Sequence, residues 1–185
     1  MSTNFAAPKD NAIDPVMPVF DDISIRPWQA QDEEAVLSMN QKSVQQLSAL
    51  DQPRLQQLAA ISSKFWVAQQ QQRLCGFLLA FEQGSTYDSS NYQWFDQRYP
   101  RFIYVDRIVI DADFRGMALG QRFYQRLVDY ARAQHIPAIC AEVDLEPANP
   151  ASLKFHRQQG FVEVGQRQYG TPQKTVSLLR LECSE

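Results

Sequence analysis

The segment Arg115–Gly120, RGMALG, has the composition of a phosphate-binding helix entrance. Small residues at 116, 118 and 120 would let the backbone approach a ligand closely, and a strand-forming run ends shortly before them at Ile110. The first turn of a helix presents N–H groups without partners and a partial positive charge, and both attract phosphate. The Arg115 side chain would add a full charge. An ordinary glycine-containing turn is the alternative interpretation of this segment taken alone.

A second group of polar residues lies in the segment Asn149–Phe161, NPASLKFHRQQGF. Asn149 followed by proline predicts a helix start, and Gly160 predicts its end. At about 3.6 residues per turn, Asn149, Ser152 and His156 fall on one stripe of this helix. Such a stripe can face a ligand, although an isolated histidine on a helix is also compatible with a purely structural role.

Two carboxylates lie in strand-forming segments that are otherwise mainly apolar. Glu142 is in the run 138–145, on the face opposite its apolar core residues, and Asp106 interrupts the run 102–110. A carboxylate with a raised pKa is a suitable general base. Each also has a plainer interpretation: Glu142 as a solvated strand residue, and Asp106 as a partner of Arg107 or of a nearby loop amide.

Hydrophobic periodicity predicts the elements that position these residues. Apolar runs predict seven strands, at 23–26, 65–68, 74–81, 102–110, 138–145, 161–164 and 175–181. Helical spacing and end signals predict four helices: two within 29–61 that are separated at 51–53, one over 113–134 and one over 149–160. The order β-α-α-β-β-β-α-β-α-β-β predicts an α+β fold with a mixed sheet.

Residues 84–100, GSTYDSSNYQWFDQRYP, are predicted to form one long connecting loop. Loops of this length are uncommon in compact domains and often cover or build a binding site. The other interpretation is a surface loop that is held in place by its own aromatic residues, Trp94 and Phe95.

Composition restricts the class of protein. The chain has 185 residues, of which 44% are hydrophobic and 21% charged, as expected for one globular domain. We predict a flexible segment at 1–22 and a single domain at 23–185.

The net charge of -3 argues against nucleic-acid binding. Cys75 and Cys140 lie within apolar runs, which predicts buried thiols, and the three cysteines show no metal-ligand spacing, so we expect no metal. Without a signal-peptide or membrane-spanning pattern, we expect a cytoplasmic protein that does not bind membranes.

Taken together, the strand, the RGMALG segment, the next strand and Asn149–Phe161 resemble the GNAT acetyltransferase superfamily. In that family a Q/R-x-x-G-x-G/A segment binds the pyrophosphate of acetyl-CoA through main-chain amides, and an N-x-x-A-x-x-F-Y-x-x-x-G-F segment follows. Two positions depart from the pattern: Ala118 replaces the middle glycine, and His156 stands where tyrosine is most frequent. The resemblance covers residues 23–183 and is strongest over 102–161.

The resemblance implies a GNAT fold: a mixed, mostly antiparallel sheet of seven strands, flanked by helices and splayed between the fourth and fifth strands. It implies an N-acetyltransferase that uses acetyl-CoA and transfers the acetyl group directly to a primary amine. The implied catalytic residues are Glu142, or second Asp106, as the base and His156 as the acid that protonates the thiolate of coenzyme A. The implied cofactor-binding residues are Ile108, Val109, Ile110, Arg115, Gly116, Met117, Ala118, Leu119, Gly120, Gln121, Asn149, Ser152 and Phe155.

The acceptor site implied by the resemblance is built from residues 29–61 and 84–101. Its candidate residues are aromatic or polar: Tyr87, Asn91, Tyr92, Trp94, Arg98 and, on the following strand, Tyr104. An aromatic box favours a cation, whereas Arg98 and Arg101 favour a substrate that carries a carboxylate. We expect a small amine or an amino-acid-like acceptor, because the long loop would crowd an open peptide groove.

Other functions are compatible with the same sequence. The chain could acetylate a protein N-terminus or a lysine. It could also bind acyl-CoA as a sensor without turnover, or serve as an interaction scaffold. The fold permits a homodimer, but the sequence identifies no interface.

Overall fold

A computed structural model describes residues 22–44, 47–171 and 173–183. The segment 1–22 that we predict to be flexible lies outside the described residues, apart from Asp22. Within the described part, seven strands are present: β1 (Ile23–Pro27), β2 (Lys64–Gln70), β3 (Arg73–Glu82), β4 (Ile103–Ile110), β5 (Ala138–Glu146), β6 (Val162–Tyr169) and β7 (Lys174–Glu182). The α-helices there are α1 (Glu33–Lys42), α2 (Gln52–Ile61), α3 (Ser90–Asp96), α4 (Leu119–Ala133) and α5 (Pro150–Gln158).

The strands form one mixed sheet in the order β1-β2-β3-β4-β5-β7-β6. Every neighbouring pair is antiparallel except β4 and β5, which are parallel. This parallel pairing extends only from Ile103–Ile139 to Val105–Ala141, and beyond it the two strands continue without pairing to each other. The α+β class, the seven strands and the splay between the fourth and fifth strands are confirmed.

A β-bulge marks the point where β4 and β5 separate. The register between β3 and β4 shifts so that Leu79 pairs with Arg107 and Ala80 with Val105, which leaves Asp106 as the extra residue. A bulge bends its strand and increases the local twist. The second half of β4 therefore turns away from β5, and a gap opens between the strands.

Helices cover both faces of the sheet. The apolar stripe predicted for the long helix is at most 1% exposed in α4: Leu119, Phe123, Leu127 and Ala131. Full burial of one large apolar side chain contributes about 1.5–3 kcal/mol. On the opposite face of the sheet, α1, α2 and α3 pack through Val36, Leu55 and Phe95. They contact the alternate strand side chains, which point to that face. None of the described helices is long and apolar enough to span a membrane.

The predicted start of the long helix at Asp113 is wrong. Ala112–Phe114 forms a short 3-10 turn, and α4 begins only at Leu119. Between them Gly116 has a φ of 80° and Ala118 a φ of 56°. This left-handed backbone cannot continue a right-handed helix, so the residues before Leu119 form a loop that leads into α4.

The prediction of one uninterrupted loop over 84–100 is also wrong, because α3 lies within it. The Ser89 side chain accepts a hydrogen bond from the backbone N–H of Tyr92 and caps the first turn. No glycine or proline interrupts Ser90–Asp96, and Asn91, Tyr92 and Phe95 are buried on one side of the helix. Helical spacing is present in this segment but extends over only two turns.

The first helix is shorter than the apolar spacing predicts. The spacing continues through Val44, Leu47 and Leu50, but α1 ends at Lys42. The predicted break before the second helix is confirmed, since the Asp51 side chain accepts from the backbone N–H of Arg54 and caps α2. Leu50 is buried without being helical, and this explains its apolar character.

Candidate functional site

A cavity of about 890 Å³ occupies the gap between β4 and β5. One part of its wall comes from the end of β4, the loop before α4 and the start of α5. The remaining wall comes from β5, from the segments between α1 and α2 and between β3 and β4, and from the end of the β6–β7 hairpin. We call the wall formed by residues 115–121 the phosphate end. The acceptor end is the wall formed by Ser43, Leu47, Ser48, Tyr87, Ser89, Asn91, Asp106, Arg107, Glu142, Asp144, Tyr169 and Lys174.

The phosphate end is built from main chain. The first helical hydrogen bond of α4 runs from the N–H of Arg122 to the carbonyl of Ala118. The N–H groups of residues 119–121 therefore have no partner within the helix, and all three residues line the cavity. A Cβ added at Gly116 would meet nothing within 4 Å, so this loop is open on that side. Arg115 also lines the wall.

Gly120 has a packing role in addition. A Cβ at this position would lie 2.8 Å from the Cζ atom of Phe155. Glycine therefore allows α4 and α5 to approach closely, and α5 in turn places Asn149, Ser152 and Phe155 on the cavity wall. The Asn149 side chain also caps α5 by accepting from the N–H of Ser152 at 3.2 Å. Of the predicted cofactor-binding residues, Met117 alone is absent from the cavity wall; it packs against the core instead.

Glu142 lies on β5, on the wall of the acceptor end. The Tyr104 hydroxyl donates to Glu142 Oε2, and Asn91 Nδ2 donates to Oε1 at 3.2 Å. Burial raises the pKa of Glu142 to about 7, against the effect of the Tyr104 hydrogen bond and with a further rise from the charge of Asp106. Such a carboxyl group can take up and release a proton near neutral pH, which a general base requires.

Asp106 has a different environment. Its Oδ2 is 2.8 Å from Arg107 Nε, and the Tyr87 hydroxyl donates to its Oδ1 at 2.5 Å. Arg107 is 4% exposed and also donates to the side chain of Asn40 and to Ser48. Asp106 is thus the partner of a buried arginine, as its plainer interpretation predicts. Of the two carboxylates considered as the base, Glu142 has the more suitable environment.

His156 is 3% exposed, and both of its ring nitrogens are hydrogen bonded. Nδ1 lies 2.8 Å from the carbonyl oxygen of Ser152, and Nε2 lies 2.8 Å from the Tyr124 hydroxyl. A carbonyl oxygen can only accept, so Nδ1 carries the proton and Nε2 accepts from Tyr124. Burial lowers the pKa of His156, although the bond to Ser152 opposes this. The imidazole is therefore neutral at physiological pH.

The predicted acceptor residues divide into two groups. Tyr87 and Asn91 line the cavity. Tyr92 and Tyr104 are at most 1% exposed and lie outside its wall, where Tyr104 holds Glu142.

The structure does not bring Trp94 and Arg98 to this cavity, since neither is part of its wall. Trp94 packs against β6, where a Cβ added at Gly165 would lie 3.3 Å from the indole ring, and Arg98 lies over the Trp94 ring. Helix α3 directs Trp94 away from the cavity, and Arg98, which follows the helix, donates to the Trp94 carbonyl.

Arg101, which together with Arg98 favours a carboxylate-bearing substrate in the sequence, is also absent from the wall. Its side chain donates to the carbonyl of Gln134 at 2.7 Å. The two arginines that favour a carboxylate-bearing acceptor in the sequence therefore do not line this cavity.

Three residues of the acceptor end, on β5 and on the β6–β7 hairpin, are not among the sequence candidates. Tyr169 and Lys174 are at the end of the β6–β7 hairpin, and Asp144 is two residues after Glu142 on the same face of β5. Lys174 Nζ lies 3.1 Å from Asp144 Oδ2. Strand alternation could have indicated Asp144. Nothing in the local sequence marks Tyr169 or Lys174, since only the sheet order brings them to the cavity.

A sheet that splays beside a loop of exposed main-chain amides at a helix start defines the N-acetyltransferase class of fold. A family model described as the acetyltransferase (GNAT) family matches residues 24–161. The chain therefore belongs to the GNAT family and is an acyltransferase that uses acetyl-CoA. The phosphate end fits this cofactor, since it offers three main-chain amides, an arginine and open space at Gly116.

Solved structures with the same fold have low sequence identity. Ard1 from Thermoplasma volcanium superposes with a TM-score of 0.72 at 18% identity, covering 89% of this chain and 99% of that one. Arabidopsis thaliana NAA60 in complex with a bisubstrate analogue superposes with a TM-score of 0.70 at 15% identity, covering 86% of this chain and 97% of that one. YncA, a putative acetyltransferase from Salmonella typhimurium with its cofactor acetyl-CoA, superposes with a TM-score of 0.62 at 16% identity. The match covers 88% of this chain and 95% of that one. No curated protein sequence matches the chain.

Other features of the chain concern no ligand. The three cysteines are free and buried, which the sequence predicts for Cys75 and Cys140. In the part of the chain that the structure describes, no group of His, Cys, Asp and Glu side chains has the arrangement of a metal site.

Proposed function

We propose that this protein acetylates the primary amine of a small or amino-acid-like molecule by direct transfer, with Glu142 as the general base. One observation carries the proposal. Among the described residues, Glu142 is the carboxylate of the cavity wall that has no cationic partner, because Asp106 pairs with Arg107 and Asp144 with Lys174. It is therefore free to exchange a proton with a bound amine.

The proposed roles follow from where each residue lies. Acetyl-CoA, when bound, supplies an acetyl group activated as a thioester. The amides of residues 119–121 and Arg115 would hold the pyrophosphate. Asn149, Ser152 and the backbone of Val109 and Ile110 also line the cavity and would contact the pantetheine arm.

Glu142 takes one proton from the acceptor ammonium, which leaves the neutral amine that attack requires. The acceptor ammonium loses two protons in total. One leaves through Glu142, and the other appears on the thiol of coenzyme A as the C–S bond breaks and the C–N bond forms. Asn91 and Tyr104 donate to the two oxygens of Glu142 and so orient the base.

His156 is our proposed donor of the proton that appears on the thiol. The residue lines the cavity, but its nitrogens are bonded to Ser152 and Tyr124 in this structure. Because the imidazole is neutral, it must first take up the second proton of the amine at Nε2 before it can protonate the thiolate, and this requires its hydrogen bond to Tyr124 to open during turnover. A direct role and a positioning role of His156 predict different rates for its variants.

A small acceptor is supported by the contacts around α3. The Trp94 ring packs against Gly165, and Arg167 of β6 donates to the carbonyl of Ser90. The segment 84–100 and the β6 strand therefore touch beside the acceptor end, and this contact narrows the side from which an extended peptide would enter. A cytoplasmic location, homodimer formation and the domain bounds 23–185 stay predictions.

The test is thiol release from acetyl-CoA in the presence of small primary amines or of short peptides with free N-termini, with the products identified by mass spectrometry. We expect acetylated small amines. Acetylation of the peptides but not of the small amines would indicate that the protein acetylates other proteins. Stabilisation by acetyl-CoA without release from any acceptor would indicate a sensor; a ligand at 100 times its dissociation constant should add about 2.7 kcal/mol. Absence of stabilisation would indicate a scaffold.

A further inference from the structure

The charged side chains of the acceptor end are already arranged in pairs. Arg107 Nε lies 2.8 Å from Asp106 Oδ2, and Lys174 Nζ lies 3.1 Å from Asp144 Oδ2. Nη1 of Arg107 donates to Asn40 and to the Ser48 carbonyl, and Nη2 donates to the Ser48 hydroxyl, so every nitrogen of this buried guanidinium has a partner within the protein. Both cations that the described residues contribute to this end are therefore compensated before any acceptor binds.

Glu142 is the exception to this pairing. Its two oxygens accept from Tyr104 and Asn91, which are neutral donors, and no lysine or arginine of the described residues forms an ion pair with it. The rest of the wall at this end is uncharged: Ser43, Leu47, Ser48, Tyr87, Ser89, Asn91 and Tyr169. When Glu142 is ionised, the acceptor end thus has one negative charge in excess, which matches one ammonium group.

A carboxylate on the acceptor would have to bind Lys174. This would draw Lys174 away from Asp144, which is only 7% exposed and would lose its counterion. Asp144 is the buried member of this part-buried pair, and loss of its counterion is unfavourable because its charge remains in a medium of low dielectric constant. A second ammonium on the acceptor would have to displace Lys174 from the same carboxylate.

We infer that the acceptor is a monocation: a primary amine whose remainder carries neither a carboxylate nor a second ammonium group. This inference rests on the proposed function, and it narrows that function by excluding free amino acids. The uncharged remainder of the acceptor lies against Leu47, Tyr87 and Tyr169, where apolar and aromatic contacts replace ion pairs.

The test compares amines of one chain length that differ only in the terminal group: 4-aminobutan-1-ol, 4-aminobutanoate and 1,4-diaminobutane, with leucinol and leucine as a branched pair. We expect kcat/KM to be at least about tenfold higher for each alcohol than for its charged analogues. Calorimetric binding of the same amines to the protein saturated with coenzyme A should give the same order. Equal rates for alcohols and carboxylates would overturn the inference and leave the proposed function intact. No thiol release from any of the five amines would count against the proposed function itself.

Asp144→Asn provides the matched variant. It frees Lys174 to bind a substrate carboxylate. The ratio of kcat/KM for leucinol to kcat/KM for leucine should therefore be at least about fivefold lower than in the wild type. Each preference is a ratio measured on one enzyme at one pH, and any change in the basicity of Glu142 therefore cancels. Glu146→Gln is the control, because Glu146 is on the same strand but exposed and outside the cavity wall. An unchanged preference in Asp144→Asn would show that the Lys174–Asp144 pair does not select the acceptor.

Discussion

The two ends of the cavity are built from different parts of the chain. The phosphate end is a single run of residues in which main-chain amides face the cavity, and the side chains mainly need to be small. The acceptor end is assembled from side chains on α3, β4, β5, β6 and β7, which hold one another through hydrogen bonds and ion pairs. Side-chain substitutions should therefore have large effects at the acceptor end and small effects at the phosphate end.

The largest effect is expected from Glu142→Gln. Loss of the general base should lower kcat by about 10²- to 10⁴-fold, while the affinity for acetyl-CoA stays within about twofold. Steady-state kinetics and calorimetric titration measure the two quantities. A rate within about threefold of the wild type would show that another group accepts the proton.

The stability of the same variant is an internal control. The pKa of Glu142 is about 7 in the folded protein and near 4.5 when exposed. The folded state therefore binds the proton more tightly, and ionisation of Glu142 costs stability as the pH rises from about 4.5 to 7. Glu142→Gln should raise the free energy of unfolding by about 1–2 kcal/mol at pH 8 and by little at pH 4. Asn91 can rotate its unpartnered Oδ1 toward the new amide. If Glu142→Gln were instead less stable than the wild type at pH 8, its lower rate would be explained by misfolding and not by loss of the base.

His156→Ala should lower kcat by about ten- to a hundredfold and weaken acetyl-CoA binding far less. Unchanged turnover would remove His156 from the mechanism. His156→Gln separates its two roles, because glutamine retains hydrogen bonding to Tyr124 or Ser152 but cannot carry the proton. Recovery of the rate in the glutamine variant would assign His156 a positioning role.

A smaller effect is expected from Tyr104→Phe. The Tyr104 hydroxyl lowers the pKa of Glu142 through its hydrogen bond, so its removal should move the acidic limb of the kcat/KM profile to higher pH. At pH 7 the rate should fall about three- to tenfold and recover at pH 9. Tyr92→Phe is the matched control, since Tyr92 is equally buried but bonds to Ser85 and Glu82 instead. A pH profile that does not move in Tyr104→Phe would contradict the proposed orientation of the base.

The smallest effect is expected at the phosphate end. Arg115→Gln should weaken acetyl-CoA binding only about two- to fivefold, because an exposed charge contributes roughly 0.2–1 kcal/mol and the main-chain amides remain. The dissociation constant, measured by calorimetry, tests this, with the exposed Arg157→Gln as the control. A loss above about a hundredfold would show that the phosphate end depends on a side chain as much as the acceptor end does.

The sequence predicts the two ends of the cavity with unequal success. The strand before the phosphate end, the cap at Asn149 and the buried stripe of α4 are predicted correctly, although helix α4 begins at 119 and not at 113. Left-handed residues such as Ala118 are not indicated by residue type, since alanine rarely adopts this conformation. At the acceptor end, the resemblance and the aromatic and polar composition of the segment 84–101 assign Trp94 and Arg98 to the pocket, whereas the structure places both outside the cavity wall.

By itself, the sequence determined the seven strands, the cap of α5 at Asn149 and the run of small residues that leads into α4, because periodicity, capping and backbone freedom act over a few neighbouring residues. Only the tertiary structure decided the chemistry of the carboxylates. The partners that hold Glu142 are 51 and 38 residues away along the chain, and Lys174 is 30 residues from Asp144. The charge of a carboxyl group depends on its burial and on its neighbours in space, and the sheet order sets both.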